Sequence, residues 1–216
     1  MLLLAFDTSS PAITVALHDG DRLLAEHTVI DARRHGELLA PGIAHVLESA
    51  GKAASDLTDI AVGVGPGPFT GLRVGLMTAR ALADALPVQL HGVCSLDIIA
   101  AAIVSTERFL VASDARRREV YWATYTADGT RRDGPHVDKP ADVEWRGPAY
   151  GAGAAMYSDV FGIVPNAELP NAELPNAAVL ASMVAAGTAT LLPADPLYLR
   201  RPDAVEPPAR KVVTPA

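Results

Sequence analysis

The sequence predicts an α/β fold made of two successive halves, and three observations carry that expectation. Apolar runs of strand length alternate with stretches of helical period. A glycine-rich block stands where one apolar strand runs into a helix. A fresh strand pattern then begins near residue 106, after a first set of elements is complete. Composition agrees: of 216 residues half are hydrophobic and a fifth charged, the balance of a chain with a real core. A chain of this size buries about 70% of its extended surface on folding.

Residues 2–6 read as a strand buried on both faces, and Asp7-Thr8-Ser9-Ser10-Pro11 as a turn rich in side chains that bond their own backbone. Residues 12–18 and 22–29 are two further strands joined at Asp19-Gly20-Asp21, which makes a three-stranded antiparallel meander. Residues 36–50 have helical period, with Pro41 inside predicting a kink or a late start. A strand at 60–64 feeds the glycine-rich bend, a helix follows over 71–86, then a strand at 88–91 and a helix at 95–104 capped by Ser95. This order is that of a ribonuclease-H-like half.

The second half opens with a strand at 109–112, a polar turn at 114–118 and an alternating strand at 119–126. Val120, Trp122 and Thr124 point to one face of it, Tyr121, Ala123 and Tyr125 to the other. Twelve of the 17 prolines lie beyond residue 134, so this half is expected to be loop-rich. Residues 166–175 are the pentapeptide Asn-Ala-Glu-Leu-Pro written twice, read as a lengthened surface loop. A helix resumes over 179–186, and 196–200 is a final short strand or docked tail.

Charge and cysteine count exclude several classes. A net charge of −7 argues against a general nucleic-acid clamp. Cys94 is the single cysteine, which excludes an internal disulfide and any cysteine-based zinc site. No apolar run reaches the length of a membrane span, and the opening residues lack a basic leader, so a cytoplasmic protein away from membranes is expected.

The densest chemical signal is residues 63–75, with five of the 17 glycines. A strand-to-helix junction exposes backbone N–H groups that suit an anion. Gly65 and Gly67 lie in the bend, Thr70 is a candidate cap and Arg73 a candidate cation in the first turn. Neither G-x-G-x-x-G nor a P-loop is present, so a tight turn with close helix packing is an equal reading. Gly71, Gly75, Ala79 and Ala83 form a small-residue ridge that admits another backbone, either the chain's own sheet or a subunit. Asp7, Thr8 and Ser9 end the first strand, where an acid either holds a metal or phosphate or simply closes the turn. No two of the six histidines are three to five apart, so no histidine metal motif exists. Cys94 before a helix is either an activated thiol or a small buried hydrophobe. Arg116-Arg117-Arg118 with Arg131-Arg132 either touch phosphate or decorate a solvated hairpin tip.

Several segments together resemble the bacterial TsaB (YeaZ) family: Leu4-Ala5-Phe6-Asp7-Thr8-Ser9, the block from Gly65 to Gly75 with its Phe-Thr-Gly-Leu-Arg core, and the stretch from Asp114 to Tyr121. The stretch from Arg34 to Pro41 and the terminal Pro196-Leu197-Tyr198-Leu199-Arg200 also fit. Pro68 stands where the family usually has serine, and the doubled pentapeptide is not a family feature.

The resemblance implies an actin-like (ASKHA) fold of two tandem ribonuclease-H-like lobes with mixed sheets, residues 1–105 and 106–216. It implies a part in forming N6-threonylcarbamoyladenosine at position 37 of ANN-decoding tRNAs. There a larger paralogue, TsaD, transfers the threonylcarbamoyl group. TsaB proteins lack TsaD's metal-binding histidine pair, and the corresponding place here reads Val93-Cys94-Ser95-Leu96-Asp97-Ile98. The expectation is a scaffold without catalytic or metal-binding residues of its own. It would dock the TsaD-like partner through Leu38, Leu39, Ile43, Val46, Gly71, Leu72, Gly75 and Ala79, and self-associate as a homodimer when alone. A TsaE-like ATPase is a further expected partner, and tRNA is reached through the complex. ATP or ADP with Mg is compatible with the complex interface, with Asp7, Thr8, Ser9, Gly65, Gly67, Thr70 and Arg73 as candidate nucleotide or anion residues. The alternative is a metal- or nucleotide-dependent enzyme of the glycopeptidase or small-molecule kinase type.

Overall fold

The structure, a computed structural model, describes residues 1–162 and 172–200. The first copy of the pentapeptide and the start of the second lie outside the described residues.

Strands β1 (Leu3–Asp7), β2 (Ala12–His18) and β3 (Leu23–Ile30) form the expected antiparallel meander. Helix α1 (His35–Ser49) follows, then β4 (Asp59–Gly63), α2 (Phe69–Ala85) and β5 (Gln89–Val93). β4 pairs parallel to β1, and β5 parallel to β4, because a helical crossover separates the members of each pair. β1 is therefore central and buried throughout. Leu4 and Phe6 pack with Leu39, Val46 and Leu76 under α1 and α2. Leu3 and Ala5 point to the opposite face.

α1 runs unbroken through Pro41. Proline cannot bond back to Glu37, but both residues are exposed, so water can satisfy that carbonyl. α3 (Ser95–Ala101) ends earlier than the sequence suggests, leaving Val104 exposed.

The second sheet comprises β6 (Phe109–Asp114), β7 (Val120–Tyr125), β8 (Arg131–Asp138) and β9 (Ala149–Tyr150). Its order β8-β7-β6-β9 repeats the β3-β2-β1-β4 arrangement of the first sheet, so the two lobes are ribonuclease-H-like and the second is abbreviated. Alternation in β7 holds. Tyr121, Ala123 and Tyr125 pack with Leu96 and Ile99 of α3, while Val120 faces α4 (Ala152–Met156) and α5 (Ser158–Phe161).

The expected boundary at residue 105/106 needs correction. α6 (Ala177–Ala185), capped by the Asn176 side chain, buries Leu180 and Ala181 against Leu3, Ala5 and Ala16 of the first sheet. β10 (Leu191–Leu192) then extends that sheet beside β5. The chain returns to the first lobe because Leu3, Ala5 and Ala16 leave an apolar patch on that β1–β2 face, which α6 buries together with Ile98 of α3.

α3 lies between the sheets, and its Asp97 ties them. Asp97 accepts a hydrogen bond of 2.9 Å from the Tyr125 hydroxyl and lies 3.4 Å from the Arg131 guanidinium. Burial pushes the Asp97 carboxyl up, while Arg131 and Tyr125 hold it down. Arg131 thus serves an internal pair, not a solvated hairpin tip. Asp97→Ala leaves Arg131 and the Tyr125 hydroxyl without their partner; a loss of about 2 kcal/mol in urea unfolding is expected.

Candidate functional site

At the end of β1 the chain turns through Asp7-Thr8-Ser9, and the glycine-rich bend lies directly against it. Asp7 is fully buried. Its Oδ1 accepts hydrogen bonds of 2.7 Å from the Ser9 amide and from the Ser9 hydroxyl. Its Oδ2 accepts a bond of 2.6 Å from the Ser95 hydroxyl. Ser95 Oγ in turn accepts from the Gly65 amide, and the Ser95 amide donates to the Gly65 carbonyl at 2.7 Å. One carboxylate thus joins β1, the bend and the start of α3. Burial pushes the Asp7 carboxyl above the usual range, against the pull of the Ser95 and Ser9 bonds and of nearby His35.

The glycines make this contact possible. A Cβ on Gly63 would stand 1.7 Å from Asp7 Oδ2 and one on Gly67 2.2 Å from the Ser9 carbonyl oxygen. On Gly71 it would meet the Thr8 carbonyl oxygen at 2.2 Å, and on Gly75 Thr8 Oγ1 at 2.4 Å. Thr8 Oγ1 donates to the Gly71 carbonyl at 2.8 Å. No side chain fits at any of the four.

Asp7, Thr8, Ser9, Gly65 and Gly67 are therefore brought together, as the sequence suggests, with Asp7 held by Ser9 and Ser95, Gly65 by Ser95 and the Thr8 hydroxyl by Gly71. Thr70 and Arg73 are not part of that cluster. α2 starts two residues earlier than expected, Pro68 holds its cap position without a side-chain bond, and Thr70 is exposed in the first turn. Arg73 is exposed, with its guanidinium 4.0 Å over the Phe69 ring. Ser95 does not cap α3, because its hydroxyl serves Asp7 and Cys94 stands at the cap position. Burial pushes the Cys94 thiol up to about 12, which leaves it a small hydrophobe.

The residues expected at a partner interface need the same correction. Gly71, Gly75 and Ala79 line the ridge, yet all are buried against the chain's own sheet and Thr8. Leu39, Ile43, Val46 and Leu72 are core residues. Of the eight, Leu38 alone is part-exposed. The outward faces carry Ala40, Pro41 and Ala44 on α1 and Met77 and Ala81 on α2. A four-residue repeat shows that small residues share a face; it does not say whose backbone they meet.

A magnesium ion does not fit this cluster. Asp7 has no oxygen turned toward solvent, and among the described residues no three His, Cys, Asp or Glu side chains group so as to hold a metal. No helix among them is long and apolar enough to cross a membrane. The arginine turn lies across from the bend. Arg116, Arg117 and Arg118 all have left-handed backbone, φ 61°, 57° and 62°, at the β6–β7 tip. Residues 193–200 run from the first sheet to that tip. The Leu197 amide donates to Val64 at 2.9 Å, Tyr198 stacks on Phe69 at 5.2 Å, and Arg200 donates to the Ala115 carbonyl at 2.8 Å while pairing with Glu119. These residues form a docked strap, one of the two outcomes open from the sequence.

Two ribonuclease-H-like lobes with a strapped cleft and a structural acid at the end of β1 define the class: an actin-like body. Comparison with known proteins narrows it. Residues 26–194 match the family model described as TsaD, tRNA N6-adenosine threonylcarbamoyltransferase. An uncharacterized Mycobacterium tuberculosis protein is 45% identical over 208 residues, 94% of this chain and 93% of its own length. The Escherichia coli tRNA threonylcarbamoyladenosine biosynthesis protein TsaB is 36% identical over 131 residues, 59% of this chain. The match spans little more than half, 56%, of that curated relative. The structure of YeaZ from Pseudomonas aeruginosa superposes with a TM-score of 0.75 at 34% identity, covering 92% of this chain and 99% of that one. The chain belongs to the TsaB (YeaZ) family.

Gly63→Ala is expected to cost about 3 kcal/mol or more in urea unfolding, because the added methyl lands on the Asp7 carboxylate.

Proposed function

We propose that this chain acts in threonylcarbamoyladenosine formation at adenosine 37 of ANN-decoding tRNAs, as a non-catalytic scaffold that docks a TsaD-like paralogue. The observation that carries the reading is Asp7, both of whose oxygens are held by the chain's own Ser9 and Ser95. An acid so engaged is a structural post. The metal-dependent chemistry of transfer then belongs to the partner.

Docking would use the outward faces of α1 and α2. Ala40, Pro41, Ala44 and Ala81 keep them low, Met77 gives a half-exposed adaptable side chain, and the bulk of both helices is anchored in the core. Such a face lets two helix pairs approach closely. The same face would serve self-association when the partner is absent. A TsaE-like ATPase and tRNA would join through the complex rather than through this chain alone.

Depleting the protein should lower threonylcarbamoyladenosine in bulk tRNA, measured by mass spectrometry, and the intact chain should restore it. Met77→Asp should fold normally by circular dichroism yet fail to restore the level or to co-purify with the TsaD-like partner. Unchanged modification on depletion would remove the pathway assignment, and normal co-purification of Met77→Asp would remove the docking face.

A further inference from the structure

Spacing along the chain gives no histidine pair, but the fold makes one. His27 projects from β3, an edge strand of the first sheet, toward α1, and His45 projects from α1 beside it. Their ring centres lie 5.0 Å apart and the ring planes are tilted by 57°. Gly42, one turn before His45, admits the approach: a Cβ there would stand 3.1 Å from His27 Cδ2. His27 is half-buried and His45 exposed.

The other four histidines each have a polar partner. His18 Nδ1 accepts from the Gly20 amide at 3.0 Å, and His35 Nε2 lies 2.8 Å from the Ser10 carbonyl oxygen. His91 Nε2 meets Asp59 at 2.9 Å and His136 Nε2 meets Asp133 at 3.1 Å. Among the described residues, His27 and His45 make no hydrogen bond or ion pair. The two imidazoles with unspent nitrogens are thus the two that stand together. Ring packing alone accounts for the contact but gives no nitrogen a partner, and a half-buried imidazole gains by finding one.

A metal ion supplies what both rings lack. Two imidazoles on one tetrahedral zinc, with Zn–N of about 2.0–2.1 Å, hold their ring centres roughly 5 Å apart. The observed separation is already close to that. Donors that are all nitrogen favour zinc, nickel or copper over magnesium and calcium, which take oxygen. Glu48, exposed one turn beyond His45 on α1, adds a negative charge on the same side of the helix.

We propose that His27 and His45 form a two-imidazole site for a borderline divalent cation such as zinc, with water in the remaining positions. The ion fastens an edge strand to the helix whose outward face carries Ala40, Pro41 and Ala44. The site shares no residue with the Asp7 cluster, and the inference does not rest on the docking role.

The test is calorimetric titration of the untagged, metal-free chain with zinc chloride, with magnesium chloride as control and the histidine ring resonances followed by NMR. Zinc should bind and magnesium should not, and the His27 and His45 signals should move while those of the other four histidines stay. At about ten times the Kd, zinc should raise the thermal midpoint by roughly 3–5 °C. His45→Ala, on an exposed side chain, should leave the metal-free midpoint unchanged and weaken zinc by roughly tenfold or more, since one donor cannot chelate. His27→Gln, with its fold checked by circular dichroism, should do the same to zinc, and His136→Ala should keep full affinity. No zinc binding, an equal response to magnesium, ring shifts at the other histidines instead, or full affinity in His45→Ala would overturn the proposal.

Discussion

Close approach of the glycine-rich segment to the end of β1 is the constraint on which the rest of the structure depends. Asp7-Thr8-Ser9 and the segment from Gly63 to Gly75 occupy nearly the same space, and only the absence of four Cβ atoms lets both fit. The approach places Ser95 on Asp7 and thereby fixes where α3 begins. α3 in turn is the wall shared by the two sheets, with Ile98 in one core and Leu96 and Ile99 in the other. A disturbance at Gly63 therefore reaches the joint between the lobes through a single hydrogen-bonded chain.

The joint is held in three independent ways. Asp97 bonds Tyr125 and faces Arg131 across the two lobes. α6 returns from the second half to cover the first sheet. The strap crosses the cleft and ends on the arginine tip through Arg200. A body with a polar pair, an apolar helix and a docked strap across its cleft resists opening.

Much of this was legible because it is local. The β1–β3 meander, both crossover helices and the alternation in β7 follow from hydrophobic period and turn residues. β8 was not legible: Arg131-Arg132-Asp133-Gly134-Pro135-His136-Val137-Asp138 is an edge strand with little buried, so it lacks an apolar alternation. The return of α6 was hidden for another reason, since period identifies a helix but not the sheet that it covers. Residues with meaning only through distant partners were hardest. Asp7 was visible as an acid at a strand end, but its role is set by Ser95, 88 positions away. The ridge from Gly71 to Ala79 was visible as small residues, while Thr8 as its neighbour was not. His27 and His45 stood out in no motif, and only the fold brings them side by side.

The most direct test of the account is the ionisation of Asp7, followed by carboxyl carbon NMR in the folded chain with and without magnesium. Burial should keep its proton to a higher pH than the ordinary aspartate value of about 3.9, and magnesium should leave the titration unchanged. The linked stability has a definite sign. Relative to Asp7→Asn, the chain should lose stability as pH rises from the unfolded value to the raised folded one, and hold level above it. A carboxyl that titrates at or below the ordinary value, or one that magnesium displaces, would contradict the structural role of Asp7 and return the end of β1 to a metal or phosphate site.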